Sequence, residues 1–134
     1  MTEVVIDASA LAAFFKREIG SEVVRDRLEQ GGVLMSSVNR TELKGKLVGA
    51  GLFTPREVDR RLLMFDQLLE VIPFDLEQSD LAAYYYARRN PYNLSLGDCA
   101  CLTLAEARGL EVLTAERSWA KLPDLPIKIT LIRM

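Results

Sequence analysis

Short apolar runs recur along the chain, and they have the length and composition of buried β-strands. Valine, isoleucine and leucine dominate these runs, as they do in strands that are covered on both faces. Pro73 interrupts the third run, so we expect that strand at or near a sheet edge, where a missing N–H donor is tolerated. The predicted strands cover residues 3–6, 33–37, 71–74, 110–114 and 127–132.

Segments of helical composition and periodicity separate the predicted strands. Residues 54–57, Thr-Pro-Arg-Glu, combine a capping box with proline at the first helical position and predict a helix over residues 55–69. Asn39 or Thr41 is a candidate N-cap for a helix that carries Glu42 and ends near Gly49. Further helices are predicted over residues 7–15, 21–29 with Ser21 as the cap, 77–89, and 95–107.

Strands that alternate with helices favour right-handed crossovers and a parallel sheet covered by helices on both faces. The predicted fold class is therefore α/β, a three-layer α/β/α arrangement with a mainly parallel five-stranded sheet. A chain of 134 residues, 49% of them hydrophobic, is expected to form one domain over residues 1–134. Neither a bilayer-spanning apolar stretch nor a signal-peptide pattern is found, so we expect a cytoplasmic location.

Histidine is absent from the chain, and this restricts the chemistry available to it. Ser-His-Asp and Cys-His nucleophile pairs and histidine-bearing zinc sites are excluded. The formal charge of −2 argues against binding nucleic acid through bulk positive charge, although a local basic patch stays possible. Cys99 and Cys101 lie two apart in a predicted helix, point to different sides of it, and are expected to be small buried thiols.

Four acids occupy positions from which they could meet at one edge of the predicted sheet. Asp7 follows the first strand directly, and Glu116 follows the fourth. Functional crevices of parallel sheets lie beyond the carboxyl ends of the strands. Glu42 and Asp98 sit near predicted helix starts, where the helix dipole favours an acid without any further role, and Asp98 could also complete a capping box with Ser95.

A cluster of carboxylates at one point requires a compensating charge, because like charges at short distance cannot all stay ionised. Divalent cations such as Mg²⁺ prefer hard oxygen ligands of this kind. In a chain without histidine, hydrolytic chemistry would have to use carboxylates and hard cations. The four acids together therefore indicate a nuclease-like metal site, provided that they converge.

Four segments extend this interpretation from single acids to a family. They are Val-Ile-Asp-Ala-Ser-Ala-Leu at 5–11, Ser-Ser-Val-Asn-Arg-Thr-Glu-Leu at 36–43, Leu-Ser-Leu-Gly-Asp-Cys-Ala at 94–100, and Val-Leu-Thr-Ala-Glu-Arg-Ser-Trp at 112–119. In this order they resemble the PIN domain, in the form found in VapC-type toxins, over almost the whole chain. The resemblance implies an acidic Mg²⁺ or Mn²⁺ site that cleaves RNA and a cognate antitoxin that inhibits it.

The resemblance carries over to individual positions. Ser9 and Thr114 match the small hydroxyl residues beside the family's site, whereas Glu116 departs from the pattern because the family usually has aspartate there. It implies Asp7 and Asp98 as the primary metal ligands. Glu42 and Glu116 would then bind through water, hold a second ion or orient the attacking water. The acids that match without substitution are Asp7, Glu42 and Asp98.

Substrate and partner contacts are less well defined by the sequence. Arg40 and Arg117 are candidate phosphate-binding residues because they lie next to the predicted acids, whereas Lys44 and Lys46 could equally form a solvated helix face. The apolar face of the helix over residues 55–69 is wider than one sheet face requires, which favours contact with a second chain. The resemblance likewise implies a homodimer bound by an antitoxin segment.

Two other interpretations fit parts of the sequence. A phosphoacceptor receiver domain is also a short α/β unit with an acidic Mg²⁺ pocket, but it needs an acidic pair after the first strand and a lysine ending the fifth. Here Asp7 stands alone, and the chain ends Leu131-Ile132-Arg133-Met134. A PIN-like module that binds RNA or protein with weak or no catalysis is the more serious alternative, because of the departure at Glu116.

Overall fold

A single five-stranded sheet, with every neighbouring pair parallel, forms the centre of the molecule. The structure, a computed structural model, describes residues 2–134. The strand order is β3-β2-β1-β4-β5, which places β3, with Pro73 directly after it, at one edge. The strands are β1 (Val4–Ile6), β2 (Val33–Ser36), β3 (Glu70–Ile72), β4 (Glu111–Thr114) and β5 (Ile129–Leu131).

Helices cover both faces of the sheet, and each face has its own apolar cluster. Within residues 2–134 the helices are α1 (Ala8–Phe15), α2 (Ser21–Gln30), α3 (Ser37–Gly49), α4 (Pro55–Phe65), α5 (Leu76–Ala87) and α6 (Leu96–Arg108), with a short 3-10 helix at Arg117–Lys121. Helices α1 to α4 pack over Val4 and Ile6 of β1, whereas α5 and α6 pack over Val5. Successive strand residues point to opposite faces, which explains this division.

The sheet reverses its direction of growth at β1. The chain first adds β2 and β3 on one side of β1, then adds β4 and β5 on the other. Such a reversal opens a crevice beyond the carboxyl ends of the two strands that flank it, here β1 and β4. This order differs from the 2-1-3-4-5 order of receiver-type doubly wound folds, so the receiver interpretation is not supported.

The predicted three-layer α/β class is confirmed, and most boundaries agree within one or two residues. The capping box at Thr54 and Glu57 starts α4 as predicted, but the helix ends at Phe65 rather than at residue 69. Ser21 does not cap α2, because Gly20 occupies the N-cap position in a left-handed conformation. The 3-10 helix at Arg117–Lys121 was not predicted, because it is too short to show a period.

The start of α3 is the correction that matters most for the site. Ser36 is its N-cap, and the Ser36 hydroxyl accepts a hydrogen bond from the Val38 N–H at 3.2 Å. The prediction that Asn39 or Thr41 caps this helix is therefore wrong. The helix begins directly at the end of β2, which brings Asn39 into its buried first turn.

Several smaller expectations can also be compared with the structure. Cys99 and Cys101 are both buried free thiols, as predicted. Tyr85 packs inward while Tyr84 and Tyr86 are exposed, because consecutive residues on a helix point in different directions. None of the helices described for residues 2–134 combines the length and the apolar character needed to cross a membrane.

Candidate active site

Buried polar side chains concentrate at the carboxyl edge of the sheet. Burying a polar group is costly unless it is hydrogen-bonded, so such a concentration marks a place where polarity serves a purpose beyond packing. These residues end β1, β2 and β4 or lie in the first turn of α3, and each is at most 3% exposed. They are Asp7, Ser36, Asn39 and Thr114.

Asp7 is the most firmly held of the predicted acids. It is the N-cap of α1, where its carboxylate accepts a hydrogen bond from the Ala10 N–H at 3.0 Å. The Ser9 hydroxyl lies 2.9 Å from both carboxylate oxygens, and the Thr114 hydroxyl donates to Oδ2 at 2.7 Å. A single carboxylate is thus fixed from its own helix and from a strand that lies 107 residues away in the sequence.

The two hydroxyls are themselves held by the loop after β4. The Ala115 N–H donates to the Ser9 oxygen at 3.1 Å, and the Glu116 N–H donates to the Thr114 oxygen at 3.0 Å. Each hydroxyl therefore accepts a backbone hydrogen bond, which leaves its proton free to point toward Asp7. The loop after β4 therefore orients the Asp7 carboxylate indirectly, through the Ser9 and Thr114 hydroxyls.

Burial raises the pKa of the Asp7 carboxyl from its ordinary 3.8 to about 6. The hydrogen bonds from Ala10, Thr114 and Ser9 act in the opposite direction, and the negative charge of Asp98 adds to the rise. Among residues 2–134, no lysine or arginine forms an ion pair with this buried carboxylate. Within residues 2–134, the ionised Asp7 carboxylate therefore has no compensating positive charge in ion-pair contact.

Glu42 of α3 lies against the first turn of α6, which also carries Asp98. The half-buried Glu42 carboxylate accepts a hydrogen bond from the Asn39 side-chain amide at 3.3 Å. It lies so close to Gly97 that a Cβ atom at position 97 would overlap it. Asp98 directly follows Gly97 and closes a capping box, in which its Oδ2 accepts from the Ser95 N–H at 2.9 Å.

The negative charges of three predicted acids all act on the buried Cys101 thiol. Burial raises the pKa of this thiol well above its ordinary value, and the charges of Asp7, Asp98 and Glu42 raise it further. These carboxylates therefore share one electrostatic neighbourhood at the carboxyl edge of the sheet. They are not yet at ligand distance from a common point, since within residues 2–134 no three acidic or cysteine side chains form a metal-binding group.

Glu116 is placed differently from the other predicted acids. Its backbone N–H supports Thr114, but its side chain is exposed and makes no cap hydrogen bond at the start of the 3-10 helix. The structure thus places Ser9 and Thr114 beside Asp7, places Glu42 against Gly97, the residue before Asp98, and leaves the Glu116 side chain exposed.

The predicted phosphate-binding arginines are engaged elsewhere. Arg40 makes a two-pronged hydrogen bond to Asp66 at 3.0 and 2.8 Å, which ties α3 to the end of α4. Arg117 donates to the carbonyl oxygen of Met134. Lys44 pairs with Asp59 at 2.7 Å. An RNA phosphate would have to compete with these partners to recruit any of the three.

The arrangement matches a known family. The PIN domain model matches residues 4–125, which is most of the chain. The chain belongs to the PIN domain family. In this PIN domain the matched region includes every predicted acid and both supporting hydroxyls. No curated protein sequence matches it significantly.

Solved structures similar to this PIN domain share its fold at low sequence identity. DNA-bound VapBC from Salmonella typhimurium matches with a TM-score of 0.74 and 20% identity, over 98% of this chain and 99% of that chain. A toxin-antitoxin complex from Klebsiella pneumoniae gives 0.67 and 21%, over 95% and 100%. Mycobacterium tuberculosis VapC20, a toxin that cleaves the sarcin-ricin loop, gives 0.71 and 13%, over 94% and 99%.

Sequence reasoning overlooked two polar residues of this PIN domain site. The sequence predicts Ser36 at a strand end and Asn39 only as a possible helix cap. A usable signal was present for Asn39, because it precedes Glu42 by three positions and such residues are neighbours on a helix surface. The hydrogen bond from Asn39 to the distant Gly97 carbonyl oxygen at 3.0 Å had no counterpart in the local pattern.

Proposed function

We propose that this PIN domain is a ribonuclease dependent on Mg²⁺ or Mn²⁺ that hydrolyses RNA phosphodiester bonds, and that it is the toxin of a type II toxin-antitoxin pair. The observation that carries the proposal is the Asp7 carboxylate. It is 3% exposed, held by three hydrogen-bonding groups at the strand-order reversal, and free of any ion pair with a cationic side chain of residues 2–134. Such a carboxylate is suited to a bound cation.

The donor set fits a hard divalent cation in its chemistry. Carboxylate oxygens are the ligands that Mg²⁺ and Mn²⁺ prefer, and the site offers neither imidazole nor an accessible thiol. Asp7 and Asp98 would hold the ion, with Glu42 and Glu116 acting through water or at a second ion. Since no three such groups of residues 2–134 converge, we expect Asp98 to shift toward Asp7 on binding, with Glu42 acting through water from its present position.

The site residues would have different roles in hydrolysis. A bound divalent cation would neutralise the carboxylates and offset the charge that develops on the scissile phosphate. Asp7, oriented by Ser9 and Thr114, supplies a fixed oxygen ligand that needs no reorganisation on binding. Glu42 is half-buried against Gly97 and would accept a hydrogen bond from the attacking water.

RNA is the proposed substrate because the similar VapC20 of Mycobacterium tuberculosis is described as cleaving the sarcin-ricin loop. Arg40 and Arg117 are the proposed phosphate-binding residues. Each would exchange its present partner, Asp66 or the Met134 carbonyl, for an RNA phosphate. The surface ion pair of Arg40 is weak enough in water for such an exchange.

An antitoxin and a second copy of the chain are the proposed protein partners. Among the similar structures are VapBC from Salmonella typhimurium and a toxin-antitoxin complex from Klebsiella pneumoniae. Helix α4 and the turn after it expose Leu63, Met64 and Leu68, each about half exposed or more, which is unusual for a free surface. A cytoplasmic location belongs to the same proposal, since the RNA substrate is met there.

The deciding experiment incubates the purified chain with mixed RNA and Mn²⁺ or Mg²⁺, beside an EDTA control. Asp7→Asn and Asp98→Asn variants are assayed in parallel, with Asp80→Asn, an exposed acid of α5, as the matched control. We expect cleavage by the unchanged chain and by Asp80→Asn, and its loss with EDTA or in the two site variants. Cleavage that survives EDTA and both site substitutions would exclude the carboxylate-metal mechanism.

A PIN-like module that binds RNA or protein without cutting is the second candidate. The observation in its favour is the exposed side chain of Glu116, at the position where the family's fourth acid stands. This candidate predicts RNA binding without cleavage at any Mn²⁺ concentration. The same assay, read as both cleavage and gel retardation, separates the two functions.

A further inference from the structure

Asn39 connects two helices that lie on opposite faces of the sheet. It sits in the first turn of α3 and is 1% exposed. Its side-chain amide donates to the Gly97 carbonyl oxygen in the first turn of α6 at 3.0 Å, and to the Glu42 carboxylate at 3.3 Å. One side chain therefore sets how α3 and α6 meet at the carboxyl edge of the sheet.

Stability alone is a poor explanation for this asparagine. Its Oδ1 atom is buried and has no hydrogen-bond partner among residues 2–134. An unsatisfied buried acceptor is costly and offsets part of what the two donated hydrogen bonds contribute. The net contribution of Asn39 to the fold is thus reduced, whereas its hydrogen bond to Glu42 bears directly on the position of that carboxylate.

Gly97 shapes the same contact from the other helix. A Cβ atom at this position would overlap the carboxylate of Glu42, so only glycine lets that carboxylate lie against the first turn of α6. The backbone conformation of Gly97 is helical, so its small size rather than its flexibility matters here. Asn39 pulls Glu42 toward α6, and Gly97 leaves the space for it.

We propose that Asn39 is a positioning residue of the site: its amide, together with the space at Gly97, holds the Glu42 carboxylate against the first turn of α6. This inference rests on the proposed function, in which Glu42 serves a divalent cation bound mainly by Asp7 and Asp98. Asn39 acts through Glu42 and touches neither the cation nor the RNA. Its loss should weaken cation binding more than it weakens the fold.

The test measures Mn²⁺ binding directly, from the loss of the free-ion EPR signal, in the full chain without RNA. Asn39→Ala removes the amide, and Asn39→Leu removes it while retaining the volume. We expect the Mn²⁺ dissociation constant to rise about tenfold or more in both, as is typical when a group that orients a metal ligand is lost. Thr103→Val is the matched control, because Thr103 is also fully buried with an unpartnered hydroxyl.

Gly97→Ala alters the same contact between Glu42 and α6 without changing Asn39. The overlapping group is the far end of the flexible Glu42 side chain, so the protein should fold with that carboxylate displaced. We expect a rise in the Mn²⁺ dissociation constant like that of Asn39→Ala. This variant keeps the proposal testable if the Asn39 variants do not fold, as judged by their far-ultraviolet circular dichroism.

Cleavage of RNA as a function of Mn²⁺ concentration provides the second readout. In the Asn39 and Gly97 variants, excess Mn²⁺ should restore a rate within about threefold of the unchanged chain, since orientation affects affinity first. Asp7→Asn should not recover. A purely structural role would lower the melting temperature and leave the Mn²⁺ requirement unchanged.

Failure of the inference about Asn39 can be distinguished from failure of the proposed function. If the unchanged chain neither binds Mn²⁺ nor cuts RNA, the proposed function fails and this inference fails with it. If the unchanged chain does both, and Asn39→Ala, Asn39→Leu and Gly97→Ala bind Mn²⁺ within about twofold of the Thr103→Val control, only the role of Asn39 is overturned.

Discussion

The carboxyl ends of β1 and β4 look alike in sequence but differ in the folded protein. Each strand ends near an acid and a hydroxyl residue, at the same edge of the sheet. Asp7 after β1 is buried and hydrogen-bonded by Ser9, Ala10 and Thr114. Glu116 after β4 has an exposed side chain, and only its backbone N–H takes part in the network.

This difference arises from the helix that comes after each strand. Asp7 caps an α-helix that begins at the next residue, so its side chain is turned back over the strand end. Glu116 precedes a short 3-10 helix and makes no side-chain cap, so nothing holds its longer side chain inward. An acid at a strand end therefore becomes a fixed site only when the next element and the neighbouring strand both supply donors to it.

The largest expected difference between the two ends is in RNA cleavage. Asp7→Asn keeps the shape of the side chain but removes the charge that attracts a cation. We expect the cleavage rate with Mn²⁺ to fall more than about 100-fold, beyond the 10- to 100-fold loss typical when only the support of a metal ligand is removed. Cleavage within about threefold of the unchanged chain would contradict the role of Asp7.

The second difference concerns stability and pH. The pKa of Asp7 in the folded protein is raised by burial from 3.8 to about 6, so its protonated form is favoured in the folded state. The resulting stability is fully present below pH 3.8 and is lost as the pH rises through about 6. In EDTA, the free energy of unfolding measured with urea should be lower at neutral pH than near pH 4. The Asp7 carboxyl should account for at most about 3 kcal/mol of that decrease.

Comparison with Asp7→Asn isolates this contribution, because all other groups titrate in both proteins. The difference in unfolding free energy between the two proteins should change with pH across the interval from 3.8 to about 6. A constant difference for Asp7→Asn would mean that Asp7 is not desolvated in the folded protein.

Loss of the hydrogen bond from Thr114 to Asp7 should have a smaller effect. Thr114→Val keeps the shape but removes the hydroxyl that donates to Asp7 at 2.7 Å. We expect about a tenfold loss in Mn²⁺ affinity. Because the lost hydrogen bond favours the ionised form, the pKa of Asp7 should also rise. Ser118→Ala, an exposed hydroxyl in the following 3-10 helix, is the control and should change neither quantity.

The smallest effect is expected at Glu116. Glu116→Gln removes an exposed charge that would act on the cation only through water or at a second ion, so it should lower the cleavage rate less than about threefold. Glu116→Asp, the residue that the family usually has there, should keep or raise the rate if the position serves the cation. A loss of about 100-fold in Glu116→Gln would show that the side chain swings inward when RNA or a cation binds.

Much of the fold could be predicted because its signals are local. The apolar runs of β1, β2 and β4, and the capping box of α4, each lie within a few adjacent residues. The start of α3 was misplaced because Ser36 and Ser37 extend a strand pattern as well as they cap a helix. Serine occurs both at strand ends and at helix N-caps, so two consecutive serines do not show where the strand ends and the helix begins.

The family resemblance points to the candidate acids and to the hydroxyls of Ser9 and Thr114, but not to Asn39. The family resemblance depends on Asp7, Glu42 and Asp98, which lie in recognisable segments. The hydrogen bonds that hold the site, from Thr114 to Asp7 and from Asn39 to Gly97, join residues 107 and 58 positions apart. Such contacts depend on the order of the strands, and no local pattern in the chain encodes that order.

Mn²⁺ binding, measured side by side in three proteins, tests most directly whether the two strand ends differ as described. The unchanged chain, Asp7→Asn and Glu116→Gln are titrated with Mn²⁺ at neutral pH, and the free ion is followed by EPR. The unchanged chain and Glu116→Gln should bind with dissociation constants within about threefold of each other, and Asp7→Asn should show no binding in the same range. Equal binding by Asp7→Asn, or an equal loss in Glu116→Gln, would contradict the asymmetry.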